Sequence, residues 1–152
     1  MLIVTKLDEA TKNIIDTVAP PKVLVMEYKN QNALISSAKI GIGFEYGKND
    51  HPQTLEWTIR DIKKILRHLE MLPTEQVGDF GQKTVYYRVF GTLPKTAGME
   101  IDKAIQNYQL ITKGQKIGTF EDKSMLAEQD FIPILFGENR YKDIFGFKGE
   151  EI

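Results

Sequence analysis

The chain has 152 residues, with 20 Lys and Arg against 21 Asp and Glu, two histidines and no cysteine. This composition, 41% hydrophobic and 27% charged, fits a globular domain and excludes disulfides, thiol nucleophiles, cysteine-containing zinc sites and a three-histidine metal centre. A formal charge of −1 lacks the basic surplus of a general nucleic-acid binder. No run reaches the ~20 apolar residues of a membrane span, and Asp8 and Glu9 close the N-terminal apolar run too early for a signal peptide, so a cytoplasmic chain is expected.

Leu2-Ile3-Val4-Thr5 reads as a short apolar strand. Asp8 then has the chemistry of an N-cap, and Ala10, Ile14, Ile15 and Val18 follow at helical spacing, predicting a helix over about 9–18 that Pro20-Pro21 stops. Residues 22–28 form a β-rich run suited to a buried strand, 29–37 a polar connection, and 38–46 a further strand. The clearest helix follows Pro52. Leu55, Thr58, Ile59, Ile62, Ile65, Leu66 and Leu69 form one face, which is expected to be the core face. Arg60, Asp61, Lys63, Lys64, Arg67 and Glu70 lie opposite and read as a solvated face, with His68 beside them.

After Pro73 the helical period gives way to short β-like runs. Residues 84–90 predict a strand, and 108–111 with 116–120 predict a hairpin around Lys113-Gly114. Residues 131–136 predict a late strand whose Pro133 places it at a sheet edge, and the glycine-bearing tail from 146 onward reads as frayed. The fold class is therefore α/β, an α/β piece over 1–72 followed by a β-rich domain over 79–147. A weaker reading takes the Lys113-Gly114-Gln115 turn as the lysine turn of a lipoyl- or biotinyl-carrying domain.

One segment carries a chemical signal. With the two-residue period of a strand, Ile40, Ile42, Phe44 and Tyr46 share one face, and Gly41, Gly43, Glu45 and Gly47 share the other. Three glycines around one carboxylate would leave an open floor, where limited water disfavours the charged form and moves a Glu toward general acid or base work. The competing explanation is that a helix packs closely against the glycine face while Glu45 merely reaches solvent.

The run Ile42-Gly43-Phe44-Glu45-Tyr46-Gly47, then Pro52-Gln53 and a long amphipathic helix, resembles the succinylglutamate desuccinylase/aspartoacylase family. There a Gly-x-Glu-x-Gly strand end, a Pro-Gln turn and such a helix occur in this order. Val89 to Pro94, Lys113 to Gly118 and Pro133 to Tyr141 resemble later segments of the same family, so the likeness runs over about 1–147. It implies a carboxypeptidase-like α/β fold with a β-rich C-terminal domain. It also implies a hydrolase in which zinc and a glutamate activate water against the amide of an N-acyl amino acid. Glu45 falls on the catalytic glutamate. Tyr141 falls on a tyrosine that reaches the substrate from the C-terminal domain, or else is a tyrosine packed at the rim of that domain.

The departures are as informative. The family's zinc ligands lie in Gly-x-His-Gly-x-Glu and Asp-Leu-His motifs, and neither occurs here. The arginines that bind substrate carboxylates in that N-terminal portion are missing too, and a further one falls on Ile35. His51 with Asp50 and Glu45 would be a chemically possible zinc set, although Asn49-Asp50-His51-Pro52 also reads as ordinary helix-start chemistry. The resemblance therefore implies a truncated chain that carries the catalytic glutamate without the metal site. No zinc is expected in the isolated chain, which would work only with an N-terminal half supplied in trans. The alternative is a non-catalytic binding or regulatory module. An incomplete sheet with an open edge also leads to the expectation of a homodimer, with neither nucleic acid nor membrane as partner.

Overall fold

The computed structural model describes residues 1–27, 34–47, 51–73 and 83–152. The chain divides into two compact units, Met1–Tyr86 and Tyr87–Ile152.

In the first unit, β1 (Leu2–Val4) is flanked by β2 (Lys22–Val25), parallel to it, and β3 (Ile42–Phe44), antiparallel to it. β3 is thus an edge strand. Helix α1 (Glu9–Val18) starts where its sequence demands, with the Asp8 carboxylate accepting from the Thr11 N–H at 2.9 Å and from the Thr11 hydroxyl at 2.7 Å. It ends at Ala19, whose φ of 52° lies in the left-handed region just before Pro20. Leu2, Val4, Ile14, Ile15, Val18, Val23 and Val25 form the core of this unit. The predicted strand over 22–28 stops at Val25, and Tyr28 lies outside the described residues. In the segment expected to be a polar connection, residues Leu34–Ser37 instead form a single helical turn, α2. The strand expected over 38–46 narrows to β3.

Helix α3 (Gln53–His68) forms as predicted, but its buried side only partly coincides with the predicted apolar face. Ile65 packs against the core cluster and Asp61 is buried, whereas Leu55, Ile59, Ile62 and Leu69 are 67%, 43%, 48% and 52% exposed. Part of the charged face turns inward because it serves α1. Lys64 Nζ donates to the carbonyl of Val18 at 2.8 Å, placing a cation at the C-terminus of α1 where the helix dipole favours it. His68 Nδ1 shares a hydrogen bond with the Thr17 hydroxyl at 3.1 Å, although both side chains remain exposed. Lys64 is therefore a capping residue rather than a solvated one.

The strand β4 (Val85–Pro94) leads into the second unit, where its residues from Tyr87 pair antiparallel with β9 (Ile144–Glu151). β9 also pairs with β8 (Ile132–Ile134), which leaves Pro133 on an edge strand, as its missing N–H requires. β8 ends early because Leu135 adopts φ 54°. The tail expected to fray is thus the inner strand of this group. Its glycines are close-approach positions rather than breakers: a Cβ on Gly146 would stand 2.7 Å from the Phe136 Cα. A second antiparallel sheet runs in the order β5 (Met99–Ile101), β6 (Lys116–Phe120), β7 (Lys123–Leu126). The predicted partner of β6, residues 108–111, contributes only a bridge between Ile111 and Phe131. The hairpin of β6 instead runs to β7 through Glu121 and Asp122, both at positive φ (47° and 63°), the backbone of a tight two-residue turn. Leu93, Ile111, Ile117, Ala127, Phe131, Phe136 and Phe145 form the core here.

No helix among the described residues is long and apolar enough to cross a membrane.

Candidate functional site

Glu45 follows the last residue of β3, and its backbone N–H continues the ladder by donating to the Met1 carbonyl at 3.0 Å. The side chain is half-buried and lines a cleft of about 330 Å³ wholly within the first unit. Phe44, Tyr46, Trp57, Arg60 and Asp61 line it with Glu45. The neighbouring glycines do not act as an open floor. A Cβ on Gly41 would fall 1.8 Å from the Ile35 carbonyl oxygen, so this glycine exists to let α2 cross the backbone. Gly47 has φ 99° and makes the turn out of the strand. The close-packing explanation therefore accounts for Gly41, while Glu45 still faces a cleft.

The wall of the cleft holds a hydrogen-bonded network. Asp61 is only 4% exposed and receives the Tyr46 hydroxyl on Oδ2 at 2.9 Å and Arg60 Nε on Oδ1 at 2.7 Å. Both of its oxygens are thereby engaged, as a buried carboxylate requires. Burial, reinforced by the hydrogen bond to Asp61, pushes the Tyr46 phenol well above its ordinary value. The same carboxylate raises the Arg60 guanidinium. Burial pushes the Met1 amine down, and that amine donates to the Glu45 carbonyl at 3.0 Å. Phe44 and Tyr46 stack at 5.7 Å, giving the cleft an aromatic side.

His51 stacks on Trp57, ring centroids 5.6 Å apart, and its Nδ1 accepts from the Gln53 N–H at 3.3 Å. This is helix-start chemistry, with the ring nitrogen turned to the backbone of α3. Asp50, its proposed companion, lies outside the described residues. Among the described residues no group of three or more His, Asp or Glu side chains could hold a metal ion. The described residues therefore do not fit a zinc site by themselves.

Tyr141 belongs to the second unit, where it is half-buried and meets Phe147 edge-on at 5.6 Å. Lys113 sits on a turn in which its backbone N–H donates to Asp130 Oδ1 at 2.7 Å and Gly114 takes φ 82°.

Sequence reasoning singled out Glu45, which lines this cleft, and missed the Tyr46–Asp61–Arg60 network. The available signal was the helical offset between Trp57, Asp61 and Ile65, which places them on one face, but the charged neighbours of Asp61 masked it.

The chain matches no sequence-family model and no curated protein. Its fold is similar to that of murine aminoacylase 3, with a TM-score of 0.72, 17% identity, and coverage of 99% of this chain and 57% of that one. Succinylglutamate desuccinylase from Vibrio parahaemolyticus gives a TM-score of 0.67 at 12% identity, covering 99% and 48% of the two chains. The same protein from Vibrio cholerae gives 0.66 at 10% identity, again with 99% and 48%. The chain spans about half the length of the structures it matches. The α/β fold expected from the Gly43–Glu45–Gly47 resemblance is the one the chain adopts.

Proposed function

We propose that the chain is the C-terminal portion of a zinc-dependent hydrolase of N-acyl amino acids, with Glu45 as its catalytic carboxylate. The observation that carries this reading is Glu45 on the wall of the first unit's cleft, in a fold similar to that of aminoacylase 3 and succinylglutamate desuccinylase. A carboxylate there takes a proton from the attacking water as its oxygen bonds to the acyl carbon. It returns that proton to the nitrogen as the C–N bond breaks, giving a carboxylic acid and a free amine.

The metal ligands come, in this reading, from the complementary half of the fold, since the chain covers only 48–57% of its structural neighbours. Leu55, Ile59, Ile62 and Leu69 also form an exposed apolar stripe along α3, as unusual on a free surface as it is ordinary beneath a partner. A non-catalytic binding or regulatory module is the second reading, favoured by the lack of a metal-ligand cluster among the described residues.

The test uses the tagged chain isolated from its own cells, with mass, zinc content and amine release from N-acetyl and N-succinyl amino acids measured together. The reading expects a hetero-complex with one zinc that releases amine, and its dissociation on placing Glu at both Leu55 and Ile62. A monomer or homodimer without zinc or turnover overturns it.

A further inference from the structure

The Glu45 cleft contains a cation that the proposed hydrolysis does not use. Arg60 projects from α3 into the lining of the cleft, and its Nε is held by Asp61 Oδ1. Asp61 is in turn held by the Tyr46 hydroxyl. A guanidinium carries five N–H donors in a rigid planar fork. One of these is spent on Asp61, and the two Nη groups have no hydrogen-bond or ionic partner among the described residues. Burying a carboxylate is costly, and this one has both oxygens committed to holding a tyrosine and an arginine at the rim of a cavity. A surface ion pair would need no such backing. Arg88, for comparison, simply pairs through Nη1 with the exposed Glu150 at 3.3 Å.

We propose that Arg60 is the anchor for a ligand carboxylate, which its Nη groups bind bidentately. The ligand class is a small N-acyl amino acid bearing a free α-carboxylate and an apolar side chain. Trp57 and Phe44 supply the apolar wall, and about 330 Å³ lies at the small end of ligand pockets. Charge orients the ligand. Glu45 repels a carboxylate at its own end of the cleft, so the acid lies at Arg60 and the amide at Glu45. The identity of the amide rests on the hydrolase reading, whereas the carboxylate preference does not.

Trp57 is the only tryptophan in the chain and lines the cleft, so its emission reports filling without turnover. The purified full chain is titrated with N-acetylleucine and with N-acetylleucinamide, which has the same shape and no carboxylate. The acid should bind at least ~10-fold tighter than the amide, as a bidentate charge-assisted contact implies. Arg60→Gln should bring that ratio to about one, Arg60→Lys should keep part of it, and Glu45→Gln should preserve or raise it. Circular dichroism of each variant shows that the fold is intact. Equal binding of acid and amide, binding of neither, or a ratio unchanged in folded Arg60→Gln overturns the proposal. A chain that prefers the acid while its native complex releases no amine fails the hydrolase reading alone. A complex that hydrolyses acid and amide equally well fails this inference alone.

Discussion

Replacing Asp61 with Ala removes the acceptor for both the Tyr46 hydroxyl and Arg60 Nε. The bond from Tyr46 ends on an ionised, buried acceptor, and losing such a bond costs about 1.5–3 kcal/mol. Arg60 is 47% exposed, so solvent screens its share to about 0–1 kcal/mol. The expected loss is therefore about 1.5–4 kcal/mol. Asp61→Asn keeps one acceptor oxygen but points an NH2 group at one of the two donors, and should lose part of the same amount. Tyr46→Phe removes the donor instead. A double-mutant cycle of Tyr46→Phe with Asp61→Ala should show coupling of about 1–2 kcal/mol, since the two side chains touch. Urea unfolding followed by Trp57 emission reads the first unit directly, because Trp57 belongs to it. An Asp61→Ala loss below about 0.5 kcal/mol, the range of ordinary surface changes, or a coupling near zero, would refute the network as a structural device. The pH dependence follows the same contact. The Tyr46 phenol is raised in the folded state, so its contribution is full below about pH 10, the unfolded value, and declines as pH rises through the folded value.

Two further outcomes test the fold. Gly146→Ala drives a Cβ to 2.7 Å from the Phe136 Cα and should cost about 1–3 kcal/mol or more, the range for overpacking, as a lowered urea midpoint. Asp8 has its carboxyl held well below the ordinary value by Lys6 and Thr11. Its contribution is therefore full above about pH 4, the unfolded value, and lost as pH falls below it. Asp8→Ala should lower Tm at pH 7 and flatten the acid limb of a Tm–pH curve, and an unchanged acid limb would contradict the cap.

What the sequence made legible followed from local chemistry. Asp8 and the spacing of Ile14, Ile15 and Val18 define α1 to the residue, because cap and period agree. The period of α3 specified a helix but not which side faces the protein. Amphipathicity measures segregation of side chains, and here Leu55, Ile59, Ile62 and Leu69 of the apolar side are exposed while Asp61 of the charged side is buried. β9 was hidden because Gly146 and Gly149 read as breakers, whereas they admit Phe136 and Ile134 at close range. The β6–β7 turn was hidden because Glu121-Asp122 takes a conformation that sequence usually marks with Gly or Asn. At the site, Glu45 was visible within its own strand. Arg60 and Asp61 were not, because their roles arise from a tertiary contact between Tyr46 and α3.

The central claim is that Glu45 moves the proton in amide hydrolysis. The direct measurement is kcat for amine release by the complex purified from its own cells, compared between the native chain and Glu45→Gln at equal zinc content. A fall of about 10²–10⁴-fold, the share of a positioned general acid–base, is the predicted result. Turnover unchanged by Glu45→Gln would contradict it.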